Sequence, residues 1–136
     1  MLIQKSFKTE LKPNNKQRTF FKKSTGTARF VWNWGLGQRI NLYTKEKKSL
    51  SVIDQHKTLC SMKKVEFPWM YEISKLAPQE ALRDLEKAFK NFFRGLKQGK
   101  KNGFPKFKKK HGSKQSFRMT GDVCYVTKSS IKFPKI

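Results

Sequence analysis

Acidic residues are scarce in this chain. Nine Asp or Glu stand against 32 Lys or Arg over 136 residues, a formal charge of +23. Self-repulsion at that imbalance disfavours a compact state, so the composition implies a polyanionic partner. Cysteine is rarer still. Cys60 and Cys124 lie far apart with no CxxC pair, which excludes a disulfide scaffold and points to a reducing cytoplasm. No run approaches the roughly 20 apolar residues of a membrane span. The N-terminal MLIQKSFKTEL alternates where a signal peptide would be continuously apolar. The expectation is a soluble, intracellular protein with no membrane partner.

Recognisable chemistry is equally thin. There is no Gly-rich phosphate loop, and Asp54, Asp84 and Asp122 show no motif spacing for acid–base or metal work, so no catalytic residue is assigned. His56 and Cys60 stand one helical turn apart, a legitimate ligand spacing. A closed zinc site would still require His111 and Cys124 to converge on them, and neither a metal nor a cofactor is expected.

Aromatics are plentiful: twelve Phe, three Trp and three Tyr, interleaved with the basic residues. That mixing favours nucleic acid over a membrane surface, which would call for a separate apolar face. The organising stretch is Ala77 to Lys110. Ala77, Ala81, Leu85, Ala88, Phe89, Phe92 and Leu96 fall on one helical stripe. Ser74 is the expected N-cap, Pro78 fits only a first turn, and Gly99 and Gly103 end the helix. Acids crowd its first half and bases its second, as the helix dipole favours. A basic hook, FPKFKKK from Phe104 to Lys110, follows. From Lys87 onward fifteen Lys or Arg face one acid, Asp122.

Taken in order, the alternation from Leu2 to Leu11 predicts a strand, ended by a turn at Pro13-Asn14-Asn15. Asn14 or Asn15 then caps a helix through Phe20 and Phe21. Thr25-Gly26-Thr27 interrupts or bends it before an apolar helix from about Ala28 to Tyr43, the bare outline of a helix-turn-helix. A basic loop, Lys45 to Ser49, precedes a helix from Ser51 to about Val65. Between Glu66 and Glu86 five acids face only Lys75 and Arg83, so this region is expected to meet the protein's own basic helices. Ser116 to Thr127 and Ile131 to Phe133 predict short strands.

Two polar pairs remain open from spacing alone. Arg29 and Asn33, one turn apart on an apolar helix, suit either internal satisfaction or an RNA backbone contact. Lys75 and Gln79 share that spacing, and a Gln can pair bidentately with adenine. Phe104 and Phe107 read as anchors of the hook.

The segments SFKTELKPNNKQ (Ser6 to Gln17), GTARFVWNWGL (Gly26 to Leu36), LEKAFKNFFRGLK (Leu85 to Lys97), GFPKFKKK (Gly103 to Lys110), SFR (Ser116 to Arg118) and IKFPKI (Ile131 to Ile136) occur in an order that resembles the N-terminal part of TnpB, also called OrfB. These are transposon-encoded, RNA-guided DNA nucleases related to type V CRISPR effectors. The resemblance implies an α+β fold: a mainly helical recognition lobe inserted between strands of an incomplete wedge-type β-barrel. Residues 1–12 would give the first wedge strand, 13–101 the helical lobe, and 102–136 the basic hook and partial barrel. It also implies guide RNA and double-stranded target DNA as partners. His56, Lys75, Gln79 and Thr120 would contact the target-flanking motif. Lys5, Arg29, Asn33, Lys101, Lys106, Lys108, Lys109, Lys110 and Arg118 would contact nucleic-acid backbone. Pro78 stands where the family more often has an ordinary helix former, and His56 replaces a smaller polar residue, so the motif read would differ from that of relatives. The RuvC-like nuclease domain is absent from this sequence, so the expected role is binding without cleavage, in the cytoplasm and on the nucleoid of a prokaryote. A stand-alone helix-turn-helix repressor or transposition accessory factor is the competing expectation.

Overall fold

The computed structural model describes residues 1–101, 103–112, 114–120 and 124–135. Helix α1 (Asn15–Glu46) opens with a capping box. The Asn14 side chain accepts from the Gln17 N–H at 3.0 Å, and the Gln17 side chain accepts from the Asn14 N–H at 2.9 Å. The helix runs unbroken for 32 residues, which corrects the interruption expected at Thr25-Gly26-Thr27. The reason lies in its buried face. Phe20, Ser24, Thr27, Ala28, Val31, Trp32, Gly35 and Leu36 form one stripe that continues across Gly26. A helical glycine costs about 1 kcal/mol against alanine, too little to break a helix packed on both sides of it. The Thr27 hydroxyl adds a bond to the Lys23 carbonyl at 2.8 Å, keeping this threonine within the helical hydrogen-bond pattern.

Helix α2 (Val52–Val65) is capped by Ser51, whose side chain accepts from the Asp54 N–H at 3.2 Å, as its sequence predicts. A 3-10 turn (Pro68–Glu72) leads into α3 (Leu76–Lys97). Lys75 occupies the cap position of α3 without a side-chain bond, while the Ser74 hydroxyl accepts from the Leu76 N–H at 3.3 Å. Pro78 falls in the first turn, where its missing N–H removes a donor that would have no helical partner. Gly99, at φ +69, closes the helix. Its N–H donates to the Leu96 carbonyl and that of Lys100 to Gly95, the paired bonds of a Schellman ending.

The core sits between α1 and α3. Val31, Leu36, Leu59, Met70, Leu82 and Leu85 are fully buried. Gly35 lets the helices close on each other: a Cβ there would lie 2.9 Å from Leu85 Cδ2 and 3.0 Å from Leu82 Cδ2. Gln55, also fully buried, ties α2 in. Its side chain donates to the Gly35 carbonyl at 2.9 Å and accepts from Arg39 Nε at 2.8 Å.

The strand expectations are only partly met. Residues 1–14 carry no strand, and Leu2 and Phe7 are 88% and 89% exposed, so the alternation has no sheet to pair with. Of the C-terminal strands, only β1 (Tyr125–Val126) and β2 (Ile131–Lys132) form, as a two-stranded antiparallel hairpin. Residues 114–120 are non-regular, and part of the expected strand, including Asp122, lies outside the described residues, as does Ile136. The protein is therefore mainly helical with a small sheet; among the described residues no barrel closes. The C-terminal segment still belongs to the core. Phe117 packs beside Phe21 at 6.0 Å, and Phe133 meets Phe21 edge-on at 5.5 Å. No helix among the described residues is long and apolar enough to cross a membrane.

Candidate nucleic-acid interface

The basic hook is bolted to α1 through its backbone. Trp32 Nε1 donates to the Lys106 carbonyl at 2.8 Å. The next residue of α1, Asn33, binds Lys108 twice: its Nδ2 donates to the carbonyl at 2.9 Å, and its Oδ1 accepts from the N–H at 2.8 Å. Phe104 anchors the start of the hook, edge-on to Phe89 at 5.4 Å and Phe92 at 5.2 Å. Gln115 holds its far end, donating to the carbonyls of Lys109 and Lys110 at 3.2 and 3.0 Å. Because main-chain groups make these bonds, the side chains of Lys106, Lys108, Lys109 and Lys110 remain exposed. Lys108 Nζ stands 4.2 Å from the centre of the Trp32 ring, a cation–π contact that leaves ammonium donors for an anion. The segment is a track of positive charge held against α1.

Arg29 and Asn33 both find partners within the protein. The Asn33 amide is engaged with the hook peptide, and Arg29 Nη1 donates to Gln115 Oε1 at 2.6 Å. Asn33 thereby holds the hook at Lys108 through its side-chain amide.

The acidic stretch turns inward. Glu80, 2% exposed, accepts from Arg83 at 2.7 Å, from Arg118 at 2.9 Å and from the Thr120 hydroxyl at 2.9 Å. Arg118 also reaches Asp84 at 2.6 Å. Glu72 pairs with Lys23 at 2.8 Å, and Glu86 lies 3.9 Å from both Arg39 and Lys90. Four of the five acids, Glu72, Glu80, Asp84 and Glu86, are thus paired with the protein's own bases, though Arg118 comes from the C-terminal segment and not from a helix. Arg118 and Thr120 both expend bonds on this cluster, which fastens residues 118–120 to α3.

The remaining expected residues are spread over α2, the start of α3 and the segments flanking the helices. Lys75 is exposed and Gln79 half-buried one turn further along α3. On α2, His56 is half-buried, with Cys60 Sγ 3.6 Å from its Nε2. Its pKa is pushed below the ordinary value, first by loss of solvent and then by the charges of Lys63, Arg83 and Lys75. His56 is therefore a neutral hydrogen-bonding group facing cations. Lys5 and Lys101 are exposed, Lys5 on the irregular N-terminal segment and Lys101 just beyond α3. Among the described residues no group of three His, Cys, Asp or Glu converges to hold a metal. The residues that spacing alone overlooked are Trp32 and Gln115, the two ends of the clamp. Nothing in a linear reading distinguishes Trp32 from a core tryptophan.

Residues 1–48 match the helix-turn-helix domain of OrfB from the IS605 group. Within that match the structure places an irregular segment and one continuous helix. Two curated proteins are similar over most of the chain. One, from Streptomyces pristinaespiralis and named "Putative RNA-guided DNA endonuclease", is 29% identical over 119 residues, 87% of this chain and 28% of its own length. The other, from Escherichia coli and named "Putative RNA-guided DNA endonuclease InsQ", is 32% identical over 114 residues, 83% of this chain and 27% of its own. The chain spans just over a quarter of the length of these relatives.

Proposed function

For a chain that carries an OrfB-type helix-turn-helix segment and matches the N-terminal part of RNA-guided DNA endonucleases, we propose that its role is nucleic-acid binding within such a system. It holds a guide RNA and target DNA, and cleavage is assigned to no residue in it. The observation that carries this reading is the clamped hook, whose lysines are exposed while Trp32 and Asn33 hold its peptides. A track fixed in advance loses less conformational entropy on meeting a phosphate chain than a free tail would. Lys106, Lys108, Lys109, Lys110 and Lys101 contact phosphates; Lys75, Gln79 and His56 form a polar surface facing the duplex beside the target. Arg29, Asn33, Arg118 and Thr120 position these groups. Lys5 extends the positive face. The complex resides in the cytoplasm, on the nucleoid when DNA-bound, and no cofactor is needed for binding.

The test is binding by the purified chain, stripped of nucleic acid, to structured RNA and to DNA duplexes. RNA bound more tightly than duplex DNA, with duplex preference emerging only in the RNA's presence, is expected. Specific recognition of one DNA duplex without RNA would overturn the proposal in favour of a stand-alone DNA-binding protein.

A further inference from the structure

Away from the hook's lysines, a cleft of about 380 Å³ opens between the end of α1 and the second half of α3. Its volume is within the ~300–1,000 Å³ of small-molecule sites. Its walls are aromatic: Tyr43, Phe92, Phe93 and Phe104 all line it. Three of these are far from buried, Tyr43 at 59%, Phe93 at 54% and Phe104 at 45% exposed. Rings clustered and exposed in one concave site mark a binding surface more than scattered exposed side chains do. Arg39 and Lys48 also line the cleft; no carboxylate lines it, though Lys48 Nζ stands 3.6 Å from Glu46 Oε2 in an exposed ion pair that an incoming phosphate would replace. Lys47 Nζ lies 4.9 Å from the centre of the Tyr43 ring, adding positive charge beside it. Arg39 Nη2 is buried without a hydrogen-bond acceptor, 3.9 Å from Glu86. Flat aromatic walls with a cationic rim suit a π-faced, anionic ligand.

Resting on the reading that this chain binds nucleic acid, we infer that the cleft receives an unstacked base of a single-stranded RNA or DNA, stacked on Phe93, with its neighbouring phosphate on Lys48. The pairing of aromatic walls with a cationic rim in one cleft is what favours this occupant, since a nucleotide brings a π-face and an anion together. Stacking is indifferent to base identity, so this site adds affinity for single strands without sequence preference.

The probe is a short single-stranded RNA carrying one 2-aminopurine, titrated with the full chain and with Phe93→Ala and Phe93→Trp. The expected result is quenching on binding, affinity lost by about 5- to 150-fold in Phe93→Ala, and near-full retention in Phe93→Trp. Binding to fully paired RNA should be unchanged. Undiminished single-strand binding by Phe93→Ala would overturn the cleft assignment and leave the hook reading intact. Dissociation of a self-associated form by Phe93→Ala, with strand binding unaltered, would assign the cleft to a second copy and overturn it equally. If the unsubstituted chain binds neither RNA, the underlying function fails and the inference with it.

Discussion

Three glycines of α1 make opposite predictions. Gly26, Gly35 and Gly37 are all helical, and alanine at an unobstructed helical position is favoured by about 1 kcal/mol. A Cβ at Gly26 would meet only Arg29 Nη2 at 3.7 Å, and one at Gly37 only Phe107 Cε1 at 4.0 Å, both ordinary contacts. Gly26→Ala and Gly37→Ala should therefore each stabilise by about 0.5–1 kcal/mol. At Gly35 the same Cβ lies 2.9 Å from Leu85 Cδ2, 3.0 Å from Leu82 Cδ2 and 3.3 Å from Gln55 Nε2. All three neighbours are fully buried, so relief requires α1 and α3 to separate or the Gln55 bond to the Gly35 carbonyl to lengthen. Overpacking of this kind costs about 1–3 kcal/mol. Set against the helix gain, Gly35→Ala should destabilise by about 1–2 kcal/mol, lowering Tm by several degrees. Urea denaturation of the three variants with a common m-value measures this. If Gly35→Ala proves as stabilising as the other two, the close approach of α1 and α3 is wrong.

Further outcomes follow from the clamp and the buried acid. Asn33→Ala removes two bonds to the Lys108 peptide, each worth about 0.5–1.5 kcal/mol, and should speed hydrogen exchange at the Lys108 amide while leaving that of α3 unchanged. Glu80→Ala removes the acceptor of Arg83 and Thr120 and leaves Arg118 with Asp84 alone, and should cost about 1–3 kcal/mol, with faster proteolysis after Arg118; Glu80→Gln should cost less. His56 carries a folded-state pKa below its unfolded value, so the unfolded chain binds more protons once pH falls below about 6.5. Stability should therefore decline on acidification from about pH 7, and His56→Gln should lessen that decline in denaturation curves taken across the range.

Local signals and tertiary ones divide what the sequence reveals. Ser51 marks the start of α2, and the acid-to-base gradient with Gly99 beyond marks α3, because caps, dipole and periodicity are local. Gly26 misled because a local breaker was weighed without the stripe that spans it. Residues 2–11 misled because a strand is defined by its partner, and alternation says nothing of where that partner is. Leu96 shows the same limit: it continues the α3 stripe, yet it is 57% exposed because that end of the helix runs past the core. The hook was legible as charge, but its clamp was not. Asn33 and Lys108 are 75 residues apart, and only the folded chain brings them together.

The most direct measurement is the salt dependence of binding to a single-stranded RNA, for the full chain and for a variant with Lys106, Lys108, Lys109 and Lys110 changed to Gln. Each phosphate neutralised contributes about −0.7 to the slope of log K against log salt on a single strand. The track predicts a steep slope for the unaltered chain and one shallower by about 3 for the variant, with affinity lowered alike for every sequence tried. Equal slopes for the two proteins would contradict it.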